Sequence, residues 1–433
     1  MNIELLLEKY LACSGVSIDT RTIAMGDLFV ALQGPNFDGN TYVEVALEKG
    51  ATHVLCSDPT YAENENVTVV EDSLEVLQQL ATAYRLTWDC PVVGLTGSNG
   101  KTTTKELLAA MLATTYRVYA TAGNLNNHIG VPLSLLRAPG NAEIVVIEMG
   151  ANHVGEIADL CQIAKPTHGF ITNVGRAHLE GFGGLDGVRQ GKGELFDFLK
   201  PKGQAFINVG DRETMDLGER AGTCLFFAGT EADRTSTDKH LIFSAEMEEC
   251  FPVVKGDLAV NGTKEGFVSH LPGQYNYQNI LVASAVASYF KVSFKRIATA
   301  LSTYVPSNAR SEIKQIGDSK VLFDAYNANP DSVAAALSWI SSRPEARKVI
   351  VLGELAELGA FAKTEHEQAA EKAVGISGSE VAFFGAAYEG LIGDRAVFTD
   401  LVELKIWLSH FLGSPDTVIL LKGSRSNRLE RLL

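Results

Sequence analysis

Hydrophobic residues recur along this chain in short, nearly continuous runs, and most runs end on a glycine or an acid before a helical pattern begins. The runs form two series, at 92–97, 144–150, 168–175 and 204–210, and at 320–326, 348–354, 380–385 and 417–423. Such runs are typical of parallel strands buried on both faces, and the helical patterns between them predict βαβ units. The sequence therefore predicts an α/β fold with two doubly wound sheets.

Two breaks in this pattern predict three domains. The first series starts after residues 88–91, and the second starts after the proline-containing stretch 304–312. Earlier residues carry shorter apolar runs, such as 28–34 and 52–57, behind an amphipathic helical pattern at the N-terminus. Residues near 225–272 have little helical period, which predicts short β-hairpins on the central domain. The expected domains are a small N-terminal α/β domain, a central doubly wound domain and a C-terminal Rossmann-like α/β domain, at 1–88, 89–308 and 309–433.

Composition excludes some classes of partner. The chain has 433 residues, of which 46% are hydrophobic, and its formal net charge is −15. Nucleic acid requires a basic face, so we expect no nucleic-acid partner. A phosphorylated small molecule is compatible with this charge, because it needs only a few local donors.

Cysteine use and apolar run lengths predict a cytoplasmic protein. The six cysteines include no Cys-x-x-Cys pair, so neither a zinc cluster nor a redox motif is indicated, and we expect reduced, mostly buried thiols. The N-terminus has acids inside its apolar stretch and no basic region, unlike a signal peptide. The sequence contains no apolar run of about 18 residues, so we expect no membrane span. A monomer is the expected state.

The strongest motif joins the first central strand to a helix. Residues 92–95 run into the loop 96–102, Thr-Gly-Ser-Asn-Gly-Lys-Thr, and a Leu- and Ala-rich helical pattern follows. The loop glycines would let the backbone approach phosphate oxygens, which the loop amides and the helix N-terminus hold. Lys101 would reach the outer phosphates, and the Thr102 hydroxyl would bind Mg²⁺. Leu95 stands where the pattern has its first glycine, so an ordinary glycine-rich turn is the alternative to a P-loop ATPase-like domain.

At this loop the chain resembles the Mur ligases, and the resemblance extends over essentially its whole length. The matching segments are 19–21, 31–40, 96–106, 123–136, 147–157, 172–183, 191–196, 271–279, 323–332, 352–359 and 420–425. The resemblance implies an ATP-dependent ligase of bacterial cell-wall precursor synthesis. The Thr-Lys-Glu continuation of the loop is most like the member that adds D-alanyl-D-alanine to UDP-N-acetylmuramoyl-tripeptide through an acyl phosphate.

The resemblance implies an ATP site shared by two domains. Asn276 and Asn279 would hold adenine, unless they only cap a helix. Arg310 would contact the phosphates, unless it is a linker surface charge, and Asp324 would contact the ribose. Tyr275 stands where the family usually has histidine, so stacking is retained without a histidine-specific role. The implied ATP-binding residues are Thr96, Gly97, Ser98, Asn99, Gly100, Lys101, Thr102, Thr103, Asn276, Asn279, Arg310 and Asp324.

The resemblance also implies two Mg²⁺ ions. Glu148, at the end of a predicted strand, would bind one ion with Thr102, and a helix cap or surface ion pair is the alternative. His178 would bind the other, although Mg²⁺ prefers oxygen ligands and a lone histidine is more often structural. Lys192 would carry a carbamate, which requires a neutral amine, unless it is a surface lysine. Catalytic roles are thereby expected for Lys101, His178, Lys192 and Arg310.

Substrate contacts are expected on all three domains. The residues implied for the uridine diphosphate are Asp19, Thr20, Arg21, Gln33 and Gly34. Those implied for the sugar or phosphate side are Asn124, Asn126 and Asn127, and those for D-alanyl-D-alanine are Asn327, Asn329, Lys422 and Arg425. The two C-terminal cations could instead form a solvated basic turn. His128 stands where the family often has glutamate and is given no role.

Three other classes compete with this interpretation. A sister ligase that adds a diamino acid carries Asp-Asn-Pro-Arg in its last domain, whereas this chain has Asn-Ala-Asn-Pro at 327–330. A folylpolyglutamate synthetase-like ligase shares the expected architecture but does not resemble the segment 124–132. A GTPase switch would need an Asn-Lys-x-Asp signature, which the sequence lacks.

Overall fold

The computed structural model describes residues 2–235, 239–260, 262–306, 310–391 and 396–433. These residues form three α/β units, each built around its own main sheet. The expected boundary between residues 308 and 309 lies outside the described residues, and the boundary after residue 88 stays a prediction. None of the helices in the described ranges combines the length and the apolar character that a membrane span requires.

The N-terminal unit is a small parallel sheet covered on both faces. Its elements are α1 (Ile3–Leu11), β1 (Val16–Ser17), β2 (Leu28–Val30), β3 (Gln33–Gly34), β4 (Phe37–Asp38), α2 (Val43–Glu48), β5 (His53–Cys56), β6 (Val67–Val69) and α3 (Ser73–Arg85). The sheet order is β1-β2-β5-β6, and β3 and β4 form a separate hairpin. Val30 packs with α1 and α3, whereas its neighbour Phe29 packs with α2, because successive residues of a strand face opposite sides.

The central unit is built on one long sheet. Its strands are β7 (Val92–Thr96), β8 (Val118–Ala120), β9 (Ile144–Glu148), β10 (His168–Ile171), β11 (Gln204–Asn208), β12 (Thr223–Ala228), β13 (Leu241–Glu249), β14 (Lys255–Val260) and β15 (Thr263–Val268). Its helices are α4 (Lys101–Ala113), α5 (Gly130–Arg137), α6 (Glu156–Ala164), α7 (Leu179–Phe182), α8 (Leu185–Leu199), α9 (Arg212–Gly218), α10 (Glu231–Thr235), α11 (Gln274–Tyr289) and α12 (Phe294–Thr303). The order is β15-β14-β13-β12-β11-β10-β7-β9-β8. The hairpins expected near 225–272 are present, but they extend this sheet through the parallel strands β12 and β13.

Both faces of the central sheet are buried, as the continuous apolar runs predict. Val92 and Val145 face one side, while Val93 and Val146 pack on the other side with Leu108 of α4. The chain reverses its winding between β7 and β10, because β7 leads to β8 at one edge and β10 leads to β11 on the opposite side. Ligands bind beyond the carboxyl ends of strands at such a point.

The C-terminal unit has a second doubly wound sheet. Its elements are β16 (Glu312–Ile316), β17 (Ser319–Asp324), α13 (Pro330–Ser341), β18 (Arg347–Gly353), α14 (Ala362–Val374), β19 (Ser379–Phe384), β20 (Ala396–Phe398), α15 (Leu401–Ser409) and β21 (Thr417–Lys422). The order is β16-β17-β21-β18-β19-β20, and only β16 is antiparallel among these described strands. Since the last strand lies between β17 and β18, the register places Asp324 beside Lys422 at two carboxyl ends.

All six cysteines are free thiols, as expected. Cys56 and Cys161 are buried, whereas Cys13, Cys90, Cys224 and Cys250 are only half-buried. The expectation that most would be buried was therefore wrong, because four of the six remain partly exposed.

Candidate active site between the central and C-terminal units

The loop after β7 has the geometry of an anion cradle. Helix α4 begins at Lys101 on Gly100, whose φ is 79°, and no side chain in the described residues caps it. The first turn of a helix leaves N–H groups that can bind an anion. A Cβ at residue 100 would lie 2.1 Å from Oδ1 of Asn279. Glycine is therefore required both by the backbone conformation and by this close approach.

The loop after β10 holds the cradle in place. The Ser98 hydroxyl donates to the Gly175 carbonyl and accepts from the Gly175 N–H, each at 2.9 Å. The Asn99 N–H donates to Oδ1 of Asn173 at 2.9 Å, and the Thr172 hydroxyl donates to the Asn99 carbonyl at 2.6 Å. Hydrogen bonds thus connect the loop after β7 to the loop after β10, at the point where the sheet reverses its winding.

The amine of Lys101 lies against its own loop. Its Nζ donates to the carbonyls of Gly97 at 2.6 Å and Ser98 at 3.2 Å. Burial lowers the pKa of this amine, while the carboxylate of Glu148 acts in the opposite direction. Phosphate oxygens would be stronger partners than these neutral carbonyls, because charge-assisted hydrogen bonds are stronger.

Glu148, at the end of β9, is a buried carboxylate with 1% of its side chain exposed. Its Oε1 accepts hydrogen bonds from the Thr102 hydroxyl at 3.1 Å and from Nδ2 of Asn126 at 2.8 Å. Its Oε2 lies 3.2 Å from Nζ of Lys105, which is equally buried. Neither a helix cap nor a surface ion pair describes this residue, so both alternatives were wrong.

Thr102 and Glu148 fit a magnesium ion. Lys105 balances the charge of Glu148, but within the described residues Oε2 accepts no hydrogen bond of good geometry. In nucleotide sites Mg²⁺ is held through one or two carboxylates together with phosphates and waters. The described part of the chain contains no group of three or more His, Cys, Asp and Glu side chains that could hold a metal. Phosphate oxygens and waters would therefore complete the coordination.

His178 lies on the cavity wall in contact with the C-terminal unit. Its backbone is left-handed, with φ of 54°, and it immediately precedes α7. Its Nδ1 contacts the carboxylate of Glu357, which follows β18. This contact with His178 lowers the pKa of the Glu357 carboxyl. The expected role of His178 as a ligand of a second Mg²⁺ stays a prediction.

Lys192 is fully buried on α8, so the surface-lysine alternative was wrong. Its Nζ donates to the carbonyl of Ala151 at 3.1 Å and lies 4.9 Å from the centre of the Phe182 ring. Burial, followed by the charge of Lys101, holds the pKa of Lys192 well below its ordinary value. Ala151 lines the cavity and Lys192 lies behind it.

Asn276 and Asn279 lie inside the first turns of α11, which begins at Gln274. They therefore do not cap this helix, and that alternative was wrong. Nδ2 of Asn279 donates to Oδ1 of Asn276 at 3.0 Å, and the Thr104 hydroxyl donates to Oδ1 of Asn279 at 3.1 Å. Both amides are buried and line the cavity next to the loop 96–102, called the phosphate loop below.

On the opposite wall, Lys422 and Asp324 form an ion pair. Nζ of Lys422 donates to Oδ2 of Asp324 at 2.8 Å and to the carbonyl of Asn327 at 2.7 Å. Only 3% of the Lys422 side chain is exposed, so the solvated-turn alternative was wrong for this residue. Asp324 was expected to bind the ribose of ATP, and Lys422 was expected to bind D-alanyl-D-alanine, yet the two side chains form an ion pair with each other. Either ligand would therefore have to bind beside this ion pair or break it.

Two arginines lie over the ring of Tyr326. The guanidinium carbon of Arg310 is 3.8 Å from the ring centre, and that of Arg425 is 5.6 Å away. Arg310 lines the cavity, and its buried Nε has no hydrogen-bond partner among the described residues. A cation with an open donor at a cavity wall is suited to an anion. Arg310 is therefore not an ordinary surface charge.

These groups surround one cavity of about 780 Å³. The expected site residues that line it are Ser98, Asn99, Gly100, Lys101, Thr102, Thr103, Asn124, Asn126, Asn127, Glu148, His178, Asn276, Asn279, Arg310, Asp324, Asn327 and Lys422. Those that do not are Thr96, Gly97, Lys192, Asn329 and Arg425, together with the five residues of the N-terminal unit.

The five N-terminal residues lie on a solvent-facing surface. Arg21 forms a two-pronged ion pair with Asp19, at 2.6 Å between Nη2 and Oδ2, and 86% of its side chain is exposed. Nζ of Lys49 donates to the Thr20 carbonyl at 2.8 Å, and Gln33 donates to Oδ1 of Asp38 at 3.3 Å across the β3–β4 hairpin. Among the described residues, no atom lies within 4 Å of the position that a Cβ at Gly34 would occupy. Their role in holding uridine diphosphate stays a prediction.

Several side chains of the cavity region, among them His128, were given no role from the sequence, and three of these make contacts described above or below. Lys105 follows Lys101 by one helical turn, so helical period could have placed it on the same face. Tyr326 and Glu357 belong to matching segments, but neither residue stands out by type or spacing. Only the packing of the C-terminal unit brings them to the cavity wall.

Three family models together match most of the chain. They are the Mur ligase family catalytic domain at residues 12–85, the Mur ligase middle domain at 95–287 and the Mur ligase glutamate ligase domain at 309–425. The chain belongs to the Mur ligase family. As a Mur ligase it is an ATP-binding ligase, and the family resemblance and the three-part α/β fold predicted from the sequence are confirmed.

Individual relatives match this Mur ligase along its length. It is 34% identical over 427 residues to the UDP-N-acetylmuramoyl-tripeptide–D-alanyl-D-alanine ligase of Escherichia coli (strain K12), covering 96% of this chain and 92% of that protein. The ligase of the same name from Bacillus subtilis (strain 168) is 37% identical over 358 residues, covering 82% of this chain and 76% of that protein. The crystal structure of MurF ligase from Thermotoga maritima in complex with ADP has a TM-score of 0.85 at 26% identity, covering 98% of this chain and 96% of that one.

Proposed function

We propose that this Mur ligase joins D-alanyl-D-alanine to UDP-N-acetylmuramoyl-tripeptide, with conversion of ATP to ADP and phosphate. The observation that carries the proposal is one cavity between a phosphate loop and a C-terminal wall, in a chain similar along its length to ligases named for this reaction. A carboxylate is a poor electrophile at neutral pH. ATP therefore first phosphorylates the terminal carboxylate of the tripeptide, and the amine then displaces phosphate from the acyl phosphate to form the amide.

The chain's own residues stabilise the charge that spreads over the transferring phosphoryl oxygens. The loop amides hold the phosphates, and Lys101 leaves its loop carbonyls to contact the outer oxygens. Arg310 approaches from the opposite wall, where its Nε has no hydrogen-bond partner among the described residues. Contact between the two units excludes water, which would otherwise hydrolyse the acyl phosphate.

Thr102 and Glu148 are the residues that would hold Mg²⁺. When bound, the ion supplies positive charge that offsets the charge of the phosphate oxygens. A carbamate on Lys192 is a finer part of the proposal. Its support is a fully buried amine whose lowered pKa favours the neutral form to which carbon dioxide adds. The nitrogen of a carbamate keeps one N–H, which could still donate to the Ala151 carbonyl.

The three units divide the substrates among them. The N-terminal surface around Asp19 and Arg21 would hold the uridine diphosphate, and Asn124, Asn126 and Asn127 would contact the sugar or phosphate side. The peptide would extend from there to the cavity. D-alanyl-D-alanine would approach from the C-terminal wall, where Lys422 could bind its carboxylate.

The proposal is tested by phosphate release in a matrix of two substrates. One axis is UDP-N-acetylmuramoyl-tripeptide, with lysine or diaminopimelate as its third residue, and the shorter dipeptide precursor. The other axis is D-alanyl-D-alanine, free diamino acids, glutamate and buffer alone. We expect phosphate release only when a tripeptide and D-alanyl-D-alanine are both present. Release with the dipeptide precursor and a diamino acid would instead identify the sister ligase.

A further inference from the structure

Arg176, two residues before His178, makes its polar contacts across the boundary between the central and C-terminal units. Its N–H donates to Oδ2 of Asp331 at 2.6 Å, and its Nε and Nη2 donate to Oδ1 at 2.9 Å and 2.8 Å. Its Nη1 donates to both oxygens of Glu365, at 3.1 Å and 3.0 Å. One guanidinium thus binds two carboxylates at once, because arginine presents several N–H donors in one plane and lysine presents a single ammonium.

The two carboxylates belong to two helices of the C-terminal unit that pack against each other. Asp331 lies in the first turn of α13, and Glu365 lies in the first turn of α14. The two helices contribute residues such as Ala336 and Ala370 to one buried core. Arg176 is therefore attached to a packed pair of helices, and through Asp331 it reaches the cavity wall.

On its other side, Arg176 is directly connected to the phosphate loop. The preceding residue, Gly175, exchanges two hydrogen bonds with Ser98. A Cβ at residue 175 would lie 2.4 Å from Oδ2 of Asp331, so the carboxylate packs onto this backbone. Nδ2 of Asn329, the N-cap of α13, donates to Oδ1 of Asn99 at 2.7 Å. The start of α13 is thus fixed against the loop.

The same short segment carries His178. The carboxylate of Glu357, in the C-terminal unit, contacts Nδ1 of His178. The backbone carbonyl of Glu357 accepts a hydrogen bond from the Glu180 N–H at 3.3 Å. The left-handed backbone of His178 is a conformation that its surroundings must maintain. One contact in those surroundings, the Glu357 carboxylate, comes from the C-terminal unit, so contact between the two units contributes to the position of His178.

We propose that Arg176 is a positioning residue of this ligase: it couples closure of the C-terminal unit to the arrangement of the phosphate loop and His178. Its consequence for catalysis rests on the proposed function. Without Arg176, Asp331 and Glu365 would confront each other and the anionic ligands of the cavity with no cation between them, which opposes closure. The nucleotide would still bind to the central loop, so turnover falls more than nucleotide affinity.

The test uses the full chain with Arg176→Ala, Arg176→Lys and the matched control Arg189→Ala. Arg189 also contacts two carboxylates, Glu213 and Asp216, but both belong to the central unit. We expect Arg176→Ala to lower kcat roughly tenfold, equivalent to about 1.4 kcal/mol, with a smaller change in the Kd for Mg-ADP. Small-angle scattering should show less compaction on addition of Mg-ADP. Arg176→Lys should recover part of both effects, and Arg189→Ala should show neither.

Wild-type kcat and full compaction in Arg176→Ala would overturn the proposal, as would equal losses in Arg189→Ala or no compaction of the wild type. Where the alanine variant does not fold, Glu365→Gln removes one of the two charge pairs and is expected to act in the same direction. Compaction with Mg-ADP requires no muropeptide or amine. A wild type that compacts but does not ligate D-alanyl-D-alanine would therefore refute the proposed function and leave the coupling role of Arg176 intact.

Discussion

The cavity between the central and C-terminal units and the surface around Asp19 are both expected to bind anionic ligands, yet they are built differently. Glu148, Lys105 and Lys422 are almost fully buried, and each already has a partner of opposite charge. Arg21 is 86% exposed, and its ion-pair partner among the described residues is a carboxylate two residues earlier in the chain. The first region is arranged by the fold, and the second by local sequence.

This difference has a physical consequence for how each region uses its charges. Removing one member of a buried pair leaves an uncompensated charge, which is strongly unfavourable. An exposed pair contributes little, because water replaces the lost partner. Changes in the cavity should therefore affect chemistry and stability together, whereas changes on the N-terminal surface should affect only binding of one substrate.

The largest effect is expected for Lys101→Ala. Loss of the amine removes a cation from the transferring phosphoryl group, so ligation should fall by roughly 10³-fold or more. The measurement is phosphate release with saturating substrates, accompanied by a thermal unfolding curve. Lys363→Ala, at a lysine that is 78% exposed, is the control. Unchanged turnover with an unchanged unfolding curve would refute the role of Lys101.

Lys192→Ala should lower activity and be rescued in part by small carboxylates. Acetate or formate could replace the oxygens of a carbamate, and the shortened side chain leaves space in the buried pocket that Lys192 fills. Activity is compared with and without added carboxylate, and the mass of the intact wild type is measured in bicarbonate. Wild-type activity in the variant without any additive would show that no carbamate is needed.

Arg21→Ala should have a smaller and more selective effect. The KM for UDP-muropeptide should rise about tenfold, which corresponds to about 1.4 kcal/mol of lost binding, while kcat is unchanged. The KM for ATP should stay constant, since ATP is expected in the cavity. Arg117→Ala, which alters another exposed arginine paired with a carboxylate, is the matched control. An equal rise in both KM values would mean that the two regions are not independent.

The last effect is on stability and concerns pH and the burial of Lys192. Because its pKa in the folded chain lies below that in the unfolded chain, unfolding takes up a proton at pH values between the two. The free energy of unfolding should therefore rise with pH in that window, by up to about 1.4 kcal/mol per pH unit. Lys192→Met should remove this part of the slope in urea unfolding at about pH 7 and about pH 9 in buffer free of carbon dioxide. Equal slopes in both proteins would contradict the lowered pKa.

Much of the fold follows from apolar runs. Each of the eight long runs contains a strand, such as β7 or β21, because a strand buried on both faces must be apolar at nearly every position. Several short strands were not predicted, among them β8, β16 and β20. They lie at or next to sheet edges, where half-buried positions give a weak pattern. The linker predicted at 304–312 reaches into β16 at Glu312, and its residues 307–309 lie outside the described residues.

The sequence predicted the cavity residues of the central unit better than the side-chain pairs of the C-terminal unit. Lys101, Thr102 and Glu148 follow from a motif and a strand end, and they do line the cavity. The pairing of Asp324 with Lys422 depends on β21 lying beside β17, which local sequence does not encode. Asn329 was expected near the incoming dipeptide, but its amide bonds to Asn99 of the phosphate loop. Its substrate role stays a prediction, as do the roles of the other site residues.

The hairpins at the far end of the central sheet bear on solubility. Strand β15 is the last strand of that sheet in the described residues, so one of its edges presents backbone groups that another chain could pair with. Its sequence, Thr-Lys-Glu-Gly-Phe-Val, places Lys264 and Glu265 on this strand, and most of its residues are exposed. Charged side chains on an edge strand disfavour edge-to-edge association. The sheet thus ends in a segment whose composition opposes the growth of the sheet into an aggregate.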